Sequence, residues 1–242
     1  MPAIKASHLV KRYGPVTAVD HLDLDIRDGE LFSLLGINGA GKTTTIKMLT
    51  CLTKPTEGDA LVGGHSILRE PDLVKHLIGV SPQETAIAPN LTVRENLEFI
   101  CGVHGFSREQ TAGKIDEMSA VFSLQNILNR KAAKLSGGWQ RRVSIAMALI
   151  SGPRILFLDE PTLGLDVIAR HDLWTVIRSL KGRTTVVLTT HYMEEAESLS
   201  DRIGIMKDGK LLAVGTVEEL KQRTGSGDLS SAFITITKEA EL

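Results

Sequence analysis

The chain has 242 residues, 42% hydrophobic and 24% charged, enough for one large domain that buries a core. Its formal net charge of −1 gives no electrostatic footprint for nucleic acid, whose binding domains are usually distinctly basic. Cys51 and Cys101 stand in no metal-ligand spacing and read as reduced thiols; no apolar run approaches the ~20 residues of a spanning helix.

The opening reads as β. Ile4–Val10 alternates loosely, and Leu22, Leu24 and Ile26 alternate with Asp23 and Asp25, with turn residues Arg12-Tyr-Gly-Pro15 between. Residues 1–14 contain no apolar core of signal-peptide length, so the chain is expected to be soluble. Leu31–Leu35 is an unbroken apolar run, the pattern of a strand covered on both faces, followed by a glycine-rich loop and a helix from about Lys42.

The middle changes character. Thr92-Val-Arg-Glu95 and Ser107-Arg-Glu-Gln110 are capping boxes that predict helices over 92–103 and 107–121, and a third is expected from Ser136 through Ala148. Residues 86–150 therefore read as a helical lobe without strands, set into an α/β core formed by 1–85 and 151–224. Strand signals return at Arg154–Leu158, Thr184–Thr189 and Arg202–Met206, with helices near 167–181 and 193–199 between them. This alternation argues a mainly parallel sheet. Asp208-Gly209 predicts a hairpin, Thr216-Val-Glu-Glu219 caps a short helix, and Gly225-Ser-Gly227 reads as a flexible joint before the apolar stretch Ala232–Ile236, within a short tail over 225–242.

Gly36-Ile-Asn38-Gly39-Ala40-Gly41-Lys42-Thr43 fits the phosphate-loop pattern G-x-x-x-x-G-K-[ST] between a strand and a helix. Glycines let successive backbone N–H groups face a phosphate at the positive end of the helix. Lys42 adds a point charge, and the Thr43 hydroxyl is a hard oxygen ligand for Mg²⁺. Ile155–Leu158 runs into Asp159-Glu160, paired acids at the carboxyl edge of a parallel sheet, where like charges require a cation or a proton to relieve them. Asp159 is the candidate metal holder and Glu160 the candidate to orient or deprotonate an attacking water. Leu135-Ser136-Gly137-Gly138 opens a further helix with free N–H groups. It is a second anion-binding helix start, so the chain either binds two anions or completes the site of another copy.

In this order and spacing the phosphate loop, Leu135–Gly138, Asp159-Glu160 and His191 resemble ABC ATPase domains, with the likeness running from about residue 4 to 222. The resemblance implies a P-loop NTPase core with an N-terminal antiparallel β portion and an inserted helical lobe, binding ATP and Mg²⁺. ATP would lie on Gly36, Asn38, Gly39, Ala40, Gly41, Lys42, Thr43 and Thr44, with Tyr13 stacking on adenine. Magnesium would meet Thr43, Asp159 and Gln83, the last also sensing a membrane partner, and His191 would contact the γ-phosphate. Glu160, His191, Lys42 and Gln83 would carry the hydrolysis. Ser136, Gly137 and Gly138 would reach the nucleotide of a second ATPase copy, with Asp166 linking the two sites. Trp139 departs from the family's usual glutamine.

The phosphate loop through Thr45, Thr189-Thr-His-Tyr-Met-Glu-Glu-Ala-Glu197 and Leu163-Gly-Leu-Asp166 are similar to the ATPases of ABC-2-type exporters. That likeness implies a separate integral membrane permease, docked near Gln83–Asn96, and a cytoplasmic place on the inner face of the membrane. A DNA-repair or chromosome-maintenance ATPase would carry long coiled coils or zinc modules between the motifs, which are only about ninety residues apart here. Translation-associated relatives resemble two such domains fused, and a simple phosphate-loop kinase has no use for Ser136.

Overall fold

A computed structural model describes residues 2–240; the expected domain's outermost positions, 1 and 241–242, lie outside the described residues. Strands β1 (Pro2–Tyr13) and β2 (Val16–Arg27) form an antiparallel hairpin that turns at Gly14-Pro15. The fully buried β3 (Leu31–Leu35) leads through the glycine loop into α1 (Lys42–Leu49). Four elements that no sequence signal announced follow: β4 (Glu57–Val62), β5 (His65–Ser66), α2 (Pro71–Leu77) and β6 (Ile78–Ser81).

Residues 86–150 hold α3 (Val93–Val103), α4 (Arg108–Phe122) and α5 (Gly137–Leu149), with a lone antiparallel bridge between Thr92 and Lys131. Both arms of the capping boxes are made at Thr92/Glu95 and Ser107/Gln110, so the helix starts fall where side chains satisfy orphan donors. Then come β7 (Ile155–Asp159), α6 (Val167–Ser179), β8 (Thr185–Thr190), α7 (Met193–Leu199), β9 (Arg202–Lys207), β10 (Lys210–Gly215), α8 (Val217–Thr224) and α9 (Leu229–Glu239).

Two sheets result. The first has the order β2-β1-β4-β5 and is antiparallel; the second has the order β10-β9-β3-β8-β7-β6, parallel except for the β9–β10 hairpin. Alternation along its central strands explains their unbroken apolar runs. Phe32, Leu34, Ile155, Phe157 and Val187 face a core shared with the first sheet and α1, whereas Leu31, Leu156, Leu158, Val186 and Leu188 face the core under α3–α6.

The stretch Gly225–Gly227 is not the flexible joint its composition suggests. Gly225 ends α8 in the left-handed conformation (φ 65°), and the Ser226 N–H donates to the Lys221 carbonyl at 3.0 Å, a glycine-terminated helix cap. Asp228 caps α9 through the Ser231 N–H, and α9 buries Phe233 and Ile236 in a core with α7 and α8.

Candidate functional site

Three adjacent parallel strands end at one edge of the sheet, and each delivers part of the site. Pairing of Leu35 with Thr190 and of Asp159 with Thr189 sets the glycine loop after β3, the acids at the end of β7 and His191 after β8 side by side. The cleft they line measures about 480 Å³ and is bounded by Tyr13, Asn38–Thr44, Gln83, Glu160 and His191, with Leu163 from the Leu163–Asp166 loop and with Ala18, which the sequence had not marked.

The loop's geometry follows from its glycines. Gly39 (φ 86°) and Gly41 (φ 100°) occupy backbone conformations that L side chains rarely adopt. A Cβ on Gly41 would sit 2.5 Å from the Ala18 carbonyl oxygen, and one on Gly36 equally close to the Met206 carbonyl oxygen. Gly41 precedes α1 and supplies no side-chain cap, leaving the first-turn amides without intrahelical acceptors, as at any helix start. Lys42 is only 5% exposed; its ammonium donates to the Gly36 carbonyl at 2.7 Å and lies 3.3 Å from Glu160 Oε1.

The acids are buried and differently held. Asp159 Oδ1 accepts from Thr43 Oγ1 at 3.1 Å and from Thr189 Oγ1 at 2.5 Å. Glu160 Oε2 lies 2.7 Å from His191 Nδ1; toward an ionised carboxylate that nitrogen must donate. Glu160 itself has φ 49°, left-handed for a non-glycine residue, with its N–H donating to Thr189 Oγ1 at 3.0 Å. The free first-turn amides of α1, one buried ammonium and a hydroxyl–carboxylate oxygen set fit a polyphosphate with a hard cation: Thr43 and Asp159 offer only oxygen, and Gln83 lines the same cleft.

The remaining predicted residues lie elsewhere. Ser136, Gly138 and Asp166 line a separate, open depression of about 300 Å³ together with Trp139, Arg142 and Asp172, and Gly137 is the first residue of α5 beside it. Ser136 starts α5 without a side-chain cap bond, whereas the Asp166 carboxylate caps α6 by accepting from the Ala169 N–H at 2.9 Å. The Trp139 ring is covered by the Arg142 guanidinium, 4.8 Å from its centroid, and Arg142 pairs with Asp172 at 2.9 Å. Within one chain the two sets of residues do not meet.

Two groups behind the cleft were not foreseen. Glu195 on α7 is fully buried; its Oε1 accepts from Thr162 Oγ1 at 2.8 Å and Trp174 Nε1 at 3.0 Å, and burial pushes its pKa above the usual carboxylate value. Arg141 on α5 is 4% exposed, and burial lowers its pKa to about 10, leaving it a cation at neutral pH. A signal for Arg141 was available: Arg141, Ser144, Ile145 and Leu149 recur at helical spacing on the buried side of α5.

Residues 19–163 match the family model described as ABC transporter. The chain is 42% identical over 228 residues to the daunorubicin/doxorubicin resistance ATP-binding protein DrrA of Streptomyces peucetius, covering 94% of this chain and 69% of that protein. It is 42% identical over 240 residues to the human phospholipid-transporting ATPase ABCA3, and 40% identical over 240 residues to the probable multidrug ABC transporter ATP-binding protein YbhF of Escherichia coli. These matches cover 98% and 96% of this chain but only 14% and 41% of those proteins. Among solved structures, an ATP binding subunit of an ABC transporter superposes with TM-score 0.87 at 26% identity over 97% of this chain and 99% of that one. The dimeric bacterial ABC transporter cassette MJ0796 gives 0.79 at 30% identity over 88% and 98%. The chain belongs to the ABC transporter family, as one of its ATP-binding, ATP-hydrolysing cassettes.

Proposed function

We propose that this cassette works as one half of a two-copy sandwich in which each ATP lies between one chain's cleft and the other chain's Ser136 depression. The observation that carries this reading is the separation of the two residue sets: Lys42, Thr43, Glu160 and His191 line one cleft, and Ser136, Gly138 and Asp166 line another. A solved relative, MJ0796, is described as dimeric, and another of its structures holds ADP and Pi.

Backbone N–H groups of Gly39 and of Gly41–Thr44 and the Lys42 ammonium hold the phosphates, with Tyr13, half-exposed at the rim, facing the base. Thr43, Asp159 and Gln83 would hold magnesium, which when bound neutralises charge developing on the phosphoryl oxygens. Glu160, positioned between Lys42 and His191, orients the water and accepts its proton; His191 keeps that carboxylate aimed and reaches toward the γ-phosphate. Residues 86–150 act as the lobe that carries Ser136, Gly137 and Gly138 to the partner copy, against the core of 1–85 and 151–224.

Closure of the pair would drive a separate membrane permease of the ABC-2 exporter type, placing the cassette on the inner face of the cell membrane. Likeness to DrrA and YbhF supports that part. The exposed Phe99 and Val103 on α3, next to the groove lined by Val80, Ala86 and His104, supply an apolar docking face. Among the described residues no helix is long and apolar enough to cross a membrane.

Ser136→Arg tests the sandwich. Turnover should fall at least a hundredfold while binding of a fluorescent ATP analogue stays within about twofold, because only the partner's nucleotide is affected. Turnover near that of the unmodified chain would rule the sandwich out.

A further inference from the structure

Every N–H of the Arg141 guanidinium is used, and every acceptor is a main-chain carbonyl of the site. Nη2 donates to Asp159 and Glu160, both at 2.7 Å, Nε to Pro161 at 2.8 Å, and Nη1 to Pro82 and to Gln83, the latter at 3.2 Å. A guanidinium is the one side chain with five donors in a rigid planar fork, so no other residue serves this fan of oxygens. Three separate parts of the chain meet on it: the helix that Ser136 opens, the segment after β6 that carries Gln83, and the end of β7.

The backbone it grips is strained. Glu160 sits at φ 49°, a conformation that persists only where the surroundings over-determine it. Its N–H is fixed by Thr189 Oγ1 and its C=O by Arg141, so both neighbouring peptide groups are pinned. The carboxylate of that residue points to Lys42 and His191 from this one backbone geometry.

We infer that Arg141 is a positioning residue for hydrolysis: it locks the Glu160 peptide in the strained conformation that aims its carboxylate, and it fixes the Gln83 segment to that same peptide. The inference rests on the reading of Glu160 as the group that orients the attacking water. Arg141 does not itself line the nucleotide cleft; it acts through the main chain of Glu160 and Gln83, which do. Movement of the Gln83 segment therefore reaches Glu160 through one guanidinium, without passing through bound nucleotide.

Arg141→Lys is the test, since it keeps the charge and most of the volume but offers its donors from a single point. In the full chain, kcat for ATP should fall about a hundredfold, the loss expected for a group displaced by about an ångström. KM and the affinity for a fluorescent ATP analogue should stay within about twofold. Amide exchange should quicken in residues 82–84 and 159–163 together. Combined with Glu160→Gln, the lysine variant should add no more than about a twofold loss, because both changes remove the same contribution.

A kcat within about twofold of the unmodified chain, a loss lying in nucleotide affinity instead, or multiplicative losses in the double variant would each overturn the inference. Glu160→Gln alone separates the two readings. If it turns over normally, the water-orienting role fails and the inference falls with it; if it is silent while Arg141→Lys is normal, the inference alone falls. Should Arg141→Lys not fold, exchange in the unmodified chain decides: segments 82–84 and 159–163 should open as one unit as denaturant rises, and independent opening would refute the tie.

Discussion

Glu195 offers a severe check on the physics behind the cleft. Truncation by Glu195→Ala leaves the Thr162 hydroxyl and the Trp174 indole N–H without their shared acceptor in a fully buried place. Each stranded donor costs about 1–3 kcal/mol, so the variant should lose about 4 kcal/mol, on the order of 10 °C in midpoint for a chain this long. Glu195→Gln keeps an oxygen for both donors and should stay within about 1 kcal/mol of the unmodified chain in mildly acid buffer. The pH dependence has a definite sign. Burial raises the folded-state pKa of Glu195 above the ordinary 4.5, so its stabilising contribution is complete below that value and is lost as pH rises through the folded pKa. The glutamine variant has no such loss and should gain on the unmodified chain as pH rises from about 4.5 upward. Urea unfolding across that range measures all three chains. A glutamine variant as damaged as alanine, or a difference from the unmodified chain that does not change with pH, would refute the reasoning.

Other outcomes follow from the glycine loop and from the Thr43–Asp159 contact. Gly41→Ala places a methyl 2.5 Å from the Ala18 carbonyl oxygen at a positive φ, and should weaken nucleotide binding at least tenfold, about 1.4 kcal/mol, in a fluorescence titration. Unchanged affinity would show that the loop adjusts. Thr43→Val removes the hydroxyl bonded to Asp159, and should raise the Mg²⁺ concentration for half-maximal turnover at least tenfold, while Thr43→Ser retains it. A magnesium titration that superposes on that of the unmodified chain would discount Thr43 as a ligand.

Much of this architecture could be read from residue order because the signals were local. A capping box such as Thr92/Glu95 or an unbroken run such as Leu31–Leu35 declares its conformation within a few residues. β4 was hidden because Glu57-Gly58-Asp59 is poor in strand formers; its place beside β1 is set by pairing such as Ile4 with Val62, far apart in sequence. β6 carries Gly79 where a Cβ would meet the Ala148 carbonyl at 2.1 Å, a requirement of packing on α5 that no short window contains. The motif residues of the cleft were legible for the same local reason. The groups behind them were harder to read: Glu195 sits beside another glutamate and reads as surface charge until the neighbouring strands are assembled, while Arg141 was marked only by its helical spacing with Ser144, Ile145 and Leu149.

The pairing of β3 with β8 has a bearing on how the chain comes into being. About 150 residues separate these neighbours, and β9, the other neighbour of β3, lies later still. At about 5–20 residues per second, a ribosome needs roughly 8–30 s to supply the partners of an emerged β3. During that interval an apolar edge has no mate, and the glycine loop at its end lacks the carboxylates and the histidine that complete the site. Early ATP therefore has nothing to select for, and nucleotide can favour only chains whose central strands are all in register. That makes tight ATP binding a reporter of completed pairing around β3, and leaves both edges of that strand unmated until β8 and β9 emerge.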